Sequence, residues 1–361
     1  MKKIILYLLF IFQLNYVFAQ HTIKFKHLGA KEGLSQSWIK CIFQDSDGFL
    51  WFGTEDGLNK YNGSEFIEYH HQTDNNMGLI DNIVNILYED KHRNLWIGTK
   101  RGISIFNLDK NQFINFSILE NREISKFIEY DENRLLIGHN AGLSLINIQT
   151  KSLDVSDHLT KLSKSFHQNY VSDILKDKNG YYWVCTFEGL FLSDEANNRI
   201  IPFRHDENDP TSITENEIHS ICQDDEERIW LGTTSSGLIL MTYPKDNPLK
   251  PVFINYRHNP NNETTISKGS IYSIFADQNN NLWIGTENGG LNKIDLNNFD
   301  KDHCTFNHYI HNPADNSSIS SNSIYALLCD RESTLWIGTY GGGINFYNKI
   351  LFKFTHNKHI L

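Results

Sequence analysis

The sequence predicts an all-β fold, a seven-bladed β-propeller of four-stranded antiparallel blades, on three observations. One pattern returns along the chain: an apolar run, an Asp, a short turn, Trp-x-Gly-Thr, a Gly-containing turn and a further strand. The copies are evenly spaced, the 285 residues from Trp51 to Trp336 dividing into six intervals of about 47. Within a unit the hydrophobic period is that of strands. A repeat of this length has the size of a propeller blade.

The units centre on Trp51, Trp96, Leu136, Trp183, Trp230, Trp283 and Trp336. In six of them an Asp precedes the Trp by six positions: Asp45, Asp90, Asp177, Asp224, Asp277 and Asp330. The third unit is degenerate, with Asp131, Leu136-Ile-Gly138 and no Trp, so its blade is expected to be the least tightly packed. The first strand of a unit, such as Ile324 to Asp330, is apolar without alternation, as expected where neighbouring blades cover both faces. Asp with Gly or Asn suits the first hairpin, and Gly pairs such as Gly289-Gly290 suit the second.

Outer strands are expected at Phe66–Tyr69, Phe113–Phe116, near Leu153, at Phe203, Phe253–Tyr256 and Phe306–Tyr309. Two further candidates, Ile23–Leu28 and Leu351–Phe354, lie at opposite ends of the sequence. Either could complete the last blade, and such closure removes exposed sheet edges. Asn82, Asn169, Asn216 and Asn322 each precede the repeat's Asp by eight residues, which marks them as structural. Five cysteines without a C-x-x-C pair point to small buried thiols and give no support for a disulfide framework or zinc site.

Residues 1–19 read as a signal peptide: Met1-Lys2-Lys3, an apolar run from Ile4 to Phe12, and Val17-Phe18-Ala19 before Gln20. That run falls short of the roughly 18–20 residues a membrane span needs. The propeller then occupies 20–361, and export is the expected fate. The formal charge is −10, or about −12 once Lys2 and Lys3 are removed, and no basic block remains. Nucleic acid is therefore not an expected partner.

These units resemble the two-component regulator propeller repeat, with five strong copies of its Trp-x-Gly-Thr core. WD repeats place Asp after Trp, and sialidase Asp boxes need D-x-G-x-x-W, so both fit worse. In that family the repeats form the periplasmic sensor of Bacteroidetes hybrid two-component systems. The resemblance implies a ligand-sensing module, commonly for an oligosaccharide, with other sensor-kinase segments or a homodimer partner as possible associates. Family members usually continue into a second propeller, a β-sandwich, a membrane helix and a kinase. The sequence ends at Leu361, so the expectation is of the first propeller only, without a kinase domain.

Strand alternation puts the Asp turns on one face of the ring and the Thr turns on the other, and ligand is expected at the Thr face. The candidate residues there are Trp38, Arg101, His139, Phe187, Glu287 and Tyr340, a mixture of charge, amide-like donors and aromatic surface suited to a polar sugar. Trp38 is singled out because other units carry Ser, Glu or Ile at its aligned position. Asp45-Ser-Asp47-Gly48 lacks the later bidentate carboxylate of a calcium loop, and the run His303, Cys304, His308, His311 contains a repeated turn residue, so neither is expected to hold a metal. No cofactor is expected. No G-x-S-x-G, H-E-x-x-H or P-loop motif is present, and the chain is read as a binding protein, not an enzyme. Two alternatives stay open: a secreted lyase or hydrolase using Glu188, Glu287 and His139, and a protein-binding scaffold.

Overall fold

The computed structural model describes residues 23–72, 78–114, 116–154, 169–194, 199–245 and 247–349. The signal peptide and the candidate outer strand Leu351–Phe354 lie outside the described residues. Seven four-stranded antiparallel sheets form the blades, in chain order 39–69, 84–114, 124–153, 171–203, 218–256, 271–309 and 324–347. The first six run from innermost to outermost strand in sequence order. The seventh takes its outer strand from Lys26–Leu28, which pairs antiparallel with the Ile344–Tyr347 strand. Innermost strands pack side by side around the ring, Ile324–Cys329 against Ile39–Gln44 closing it.

The repeated Asp and Trp are explained by one hydrogen-bond set. In six blades one carboxylate oxygen of the Asp accepts the indole N–H of the Trp six residues on, at 2.6–2.8 Å. The other accepts backbone N–H groups two and four residues on, as Asp277 does from Asn279 and Asn281. The side chain thus fixes the hairpin and gives a buried indole its acceptor. In the third blade Leu136 occupies the Trp place, fully buried, and Asp131 bonds Arg134 instead.

Apolar contacts concentrate between blades. Trp51 packs with Leu87, Ile97 and Phe106 of the next blade, and Trp183 with Ile221, Leu231 and Ile239. The motif glycine allows this approach: a Cβ on Gly285 would lie 2.4 Å from Ser273 Oγ and 2.7 Å from Ile324 of the next blade. The motif threonine closes the opposite turn, its hydroxyl donating to a Gly carbonyl three or four residues on at 2.7–2.9 Å.

Connections between blades repeat as well. His71, His205, His258 and His311 each bond through Nδ1 to the carbonyl eight residues on. The side-chain oxygens of Asn82, Asn216 and Asn322 accept the backbone N–H of His71, His205 and His311, the structural use expected of these asparagines. His311 is accordingly a turn residue. All five cysteines are free, and burial pushes the Cys41 and Cys304 thiols up to about 12.

Candidate functional site

Every innermost strand begins on the Thr face, pairing its first residue with the motif Thr, or with His139 in the third blade. In all seven the register slips directly after that residue, leaving the second position of the strand as a bulge. Bulges re-aim side chains at barrel and propeller rims. The bulged residues, in blade order, are Lys40, Asn85, Ser125, Ser172, His219, Tyr272 and Tyr325. Asn85, Ser125 and Ser172 are short enough to turn back and donate to the first carbonyl of the next inner strand, at 3.1, 2.5 and 2.5 Å.

From the fourth blade onward the rim is aromatic instead. Tyr170 stacks on Phe187 at 4.9 Å; Phe187 meets His219 at 5.3 Å; His219 meets Tyr272 at 4.8 Å. Tyr272 stacks on Tyr325 at 4.5 Å, and Tyr325 reaches Trp38, which stands edge-on to Tyr340 at 4.6 Å. This continuous arc spans blades four to seven and returns to the first. Lys40 places its ammonium 5.1 Å from the Trp38 ring centroid and 3.6 Å from Glu55. The Trp38 indole N–H is buried without an acceptor among the described residues.

Between Tyr170 and Tyr325 the rings of the arc are uncharged and its nearby charges are carboxylates. Burial lowers the His219 pKa against the opposing pull of Glu217, Glu215 and Glu287, and its Nε2 bonds Thr234 at 2.9 Å. Burial raises the phenols of Tyr170, Tyr272 and Tyr325, with Glu123 adding to the first and Glu287 to the other two. Glu215 is committed to its own turn, accepting the N–H groups of Ser235 and Ser236 at 2.9 and 2.8 Å.

Of the six sequence-based candidates, the structure gathers four: Trp38, Phe187 and Tyr340 belong to the arc, and the Glu287 charge acts on its Tyr272 and Tyr325 phenols. Arg101 does not join them. It lines a separate cleft of about 540 Å³ over the second blade, with His71, Ser104, Phe116 and Glu120. His139 is also elsewhere, because it stands at the motif Thr position and is buried at 4% exposure. Its Nδ1 accepts the Ala141 N–H at 3.1 Å, the bond that Thr54 accepts from Asp56, and its Nε2 meets Ser144. The expected singularity of Trp38 is corrected too: Tyr170 occupies the same place, directly before the inner strand of the fourth blade. Tyr170, His219, Tyr272 and Tyr325 were not among the candidates. Their signal is an aromatic or His flanking the first Ile or Val of the inner strand, in the same register from unit to unit.

The His139 environment makes a pH prediction. Desolvation, aided by Arg122, lowers its pKa to about 4 from 6.5. The unfolded chain therefore takes up a proton that the folded chain refuses, and stability falls as pH drops from about 6.5 toward 4, by up to about 3 kcal/mol. His139→Thr, which restores the residue of the other six blades, is expected to flatten that decline in urea unfolding measured across the window. Parallel slopes for both proteins would refute the assignment.

Comparison with known proteins matches the two component regulator propeller family to residues 33–56, 78–101, 165–188, 212–235, 265–288 and 318–341, every unit but the one at Leu136. A histidine kinase of Formosa agariphila is 42% identical over 55 residues, 15% of this chain and 4% of that protein. The extracellular domain of a hybrid two component system of B. thetaiotaomicron superimposes with a TM-score of 0.72 at 27% identity, covering 90% of this chain and 42% of that one. The chain thus spans less than half the length of these relatives. A virginiamycin B lyase from Staphylococcus aureus shares the fold alone, with a TM-score of 0.63 at 13% identity over 90% of this chain and 98% of the lyase. Among the described residues no helix is long and apolar enough to cross a membrane. With six matched repeats, closed into one ring like that of a hybrid system's extracellular domain, the chain belongs to the two component regulator propeller family.

Proposed function

We propose that this chain is an exported, periplasmic ligand-sensing propeller that binds an oligosaccharide at the Thr-face arc and hands the signal to kinase-bearing segments. The observation that carries this reading is the arc itself. Its end rings are unusually open for aromatics, Tyr340 at 52% and Phe187 at 39% exposure, while the residues between them supply hydroxyl, imidazole and carboxylate groups. Exposed flat rings flanking a polar floor suit pyranose faces and hydroxyls together. The non-enzymatic reading is supported by the fate of the alternative catalytic set: His139 is buried and bonded within its own blade, so it does not act with Glu188 and Glu287 at one locus.

A glycan-array screen followed by calorimetry and a product assay tests the proposal. Binding without turnover is the expected result. Phe187→Ala and Tyr340→Ala are each expected to weaken the identified glycan by about 0.5–1.5 kcal/mol without altering the unfolding midpoint. Turnover would favour the lyase or hydrolase reading, and unchanged affinity in both variants would remove the arc from the binding site.

A further inference from the structure

Three departures from the repeat coincide in the second blade, and together they shape the cleft that Arg101 lines. The first is at Ser104. In blades one, six and seven the equivalent residue is Asn59, Asn292 or Asn345, whose side-chain oxygen accepts the N–H of a serine four residues ahead of the inner strand's start, Ser35, Ser267 or Ser320. In blades one and seven the amide also donates to that serine's hydroxyl, at 2.8 and 2.7 Å, so the pair fills the space between connector and blade. The second blade has Ser104 for the Asn and Ile80 for the Ser. Ser104 still accepts the Ile80 N–H, at 2.8 Å, but no amide fills the space, and its own hydroxyl hydrogen has no acceptor among the described residues.

The second departure is in the outer strand. In blades one and four to seven this strand runs to a residue opposite the first apolar residue of the third strand, as Tyr69 stands opposite Leu58. Here it ends at Ile114 opposite Ile105, two positions short of Ile103. The third departure is Arg101 itself, two residues after the motif Thr, where the other blades carry Asp56, Ala141, Glu188, Ser235, Asn288 and Gly341 and no cation. Its N–H donates to Thr99 Oγ1 at 3.2 Å and its carbonyl accepts the Asn121 N–H at 2.8 Å, so its backbone is fixed on both sides. Among the described residues no carboxylate reaches its guanidinium at ion-pair distance.

The lining thus offers polar groups at two depths between the walls of Ile80, Ile103 and Phe116. Ser104 is 5% exposed, whereas Arg101 is open to solvent. His71 gives its Nδ1 hydrogen to the Leu79 carbonyl at 2.6 Å, which leaves Nε2 of the neutral ring as an acceptor. One guanidinium matches one planar carboxylate through two parallel hydrogen bonds. A dianion would keep an unmatched charge on a chain whose formal charge is −10. Hydroxyls on the ligand body suit the remaining donor and acceptor, and about 540 Å³ lies within the usual range of small-molecule sites.

We propose that this cleft is a second ligand site, separate from the aromatic arc, and that it binds a small hydroxylated monocarboxylate of the sugar-acid class. The carboxylate sits on the Arg101 fork, and the hydroxyls meet Ser104 and His71. None of the lining residues belongs to the arc, so the site stands apart from oligosaccharide binding there.

Ligand-observed NMR titration of the full chain tests this with three probes of similar size: glucuronate, the neutral glucuronamide and the dianion glucose 6-phosphate. Glucuronate is expected to bind about tenfold tighter than either. Arg101→Gln, at an exposed position, is expected to erase that preference. Ile80→Ser combined with Ser104→Asn rebuilds the pair of the first and seventh blades, and is expected to abolish glucuronate binding with an unchanged melting temperature. Phe187→Ala, in the arc, is expected to leave glucuronate binding as it was. Absence of glucuronate binding, equal affinity for glucuronate and glucuronamide, or a preference that survives Arg101→Gln overturns the inference. Glucuronate binding that is lost in Phe187→Ala also overturns it, by moving the acid to the arc. Glucuronate binding in the cleft without any glycan bound at the arc would sink the function proposed above and keep this site.

Discussion

Replacing Trp283 by Ala is expected to lower the unfolding free energy by about 3–5 kcal/mol, the range for emptying a large buried aromatic position. The side chain is 3% exposed and packs beside Tyr309 in a cluster that includes Leu335 and Ile337 of the next blade. Its loss therefore opens a cavity between blades, where the ring derives its cohesion. The hydrogen bond it gives Asp277 contributes less, because Asn281 also donates to the same carboxylate oxygen at 3.0 Å and would keep it satisfied. Trp38→Ala is the contrast. That indole is half-buried on the rim and has no acceptor among the described residues, so its removal is expected to cost less than half as much. Urea unfolding of both variants gives the comparison, and equal losses would abolish the distinction between a core Trp and a rim Trp.

That distinction marks how far the sequence could be read. Six of the seven units were legible by their Asp and Trp pair because one physical need, an acceptor for a buried indole, fixes two residue types at a constant separation. Leu136 was legible from the residual Asp131 and Leu136-Ile-Gly138 of its unit, and a buried Leu fills the Trp place without needing a polar partner. The rim was harder. His139 sits in the sequence like a turn residue, and only the bond from Ala141 shows that an imidazole nitrogen has taken over the work of the Thr hydroxyl. Tyr272 and Tyr325 lie inside strands whose composition reads as core. A bulge, which no residue pattern announces, leaves them on the rim. Arg101 belongs to the corresponding Thr turn but stands two positions after the Thr, where Phe187, Glu287 and Tyr340 stand one, and it lines the cleft over the second blade, so common facing did not produce convergence.

Deleting the closing strand together with everything before it, so that the chain starts at Gly29, is expected to destabilise the ring by more than about 4 kcal/mol. Two contributions combine. Phe25 is 4% exposed, standing edge-on to Tyr309 of the sixth blade at 5.8 Å and to Tyr347 of the seventh at 6.3 Å; burying such a side chain is worth about 1.5–3 kcal/mol. Its backbone N–H also donates to Ser317 at 2.8 Å, and Leu28 packs in the cluster of Ile39, Phe52 and Trp336. The three residue pairs of Lys26–Leu28 with Ile344–Phe346 are then lost, which bares the backbone edge of that strand. An unpaired edge is a template for another chain, so the truncated protein is expected to self-associate as well as to unfold earlier. Urea unfolding and light scattering measure the two effects separately. A synthetic peptide of residues 20–29 added in trans is expected to restore the monomer. An unchanged midpoint with monomeric scattering would mean that contacts between the inner strands Ile39–Gln44 and Ile324–Cys329 hold the ring closed without the strand from the other end of the sequence.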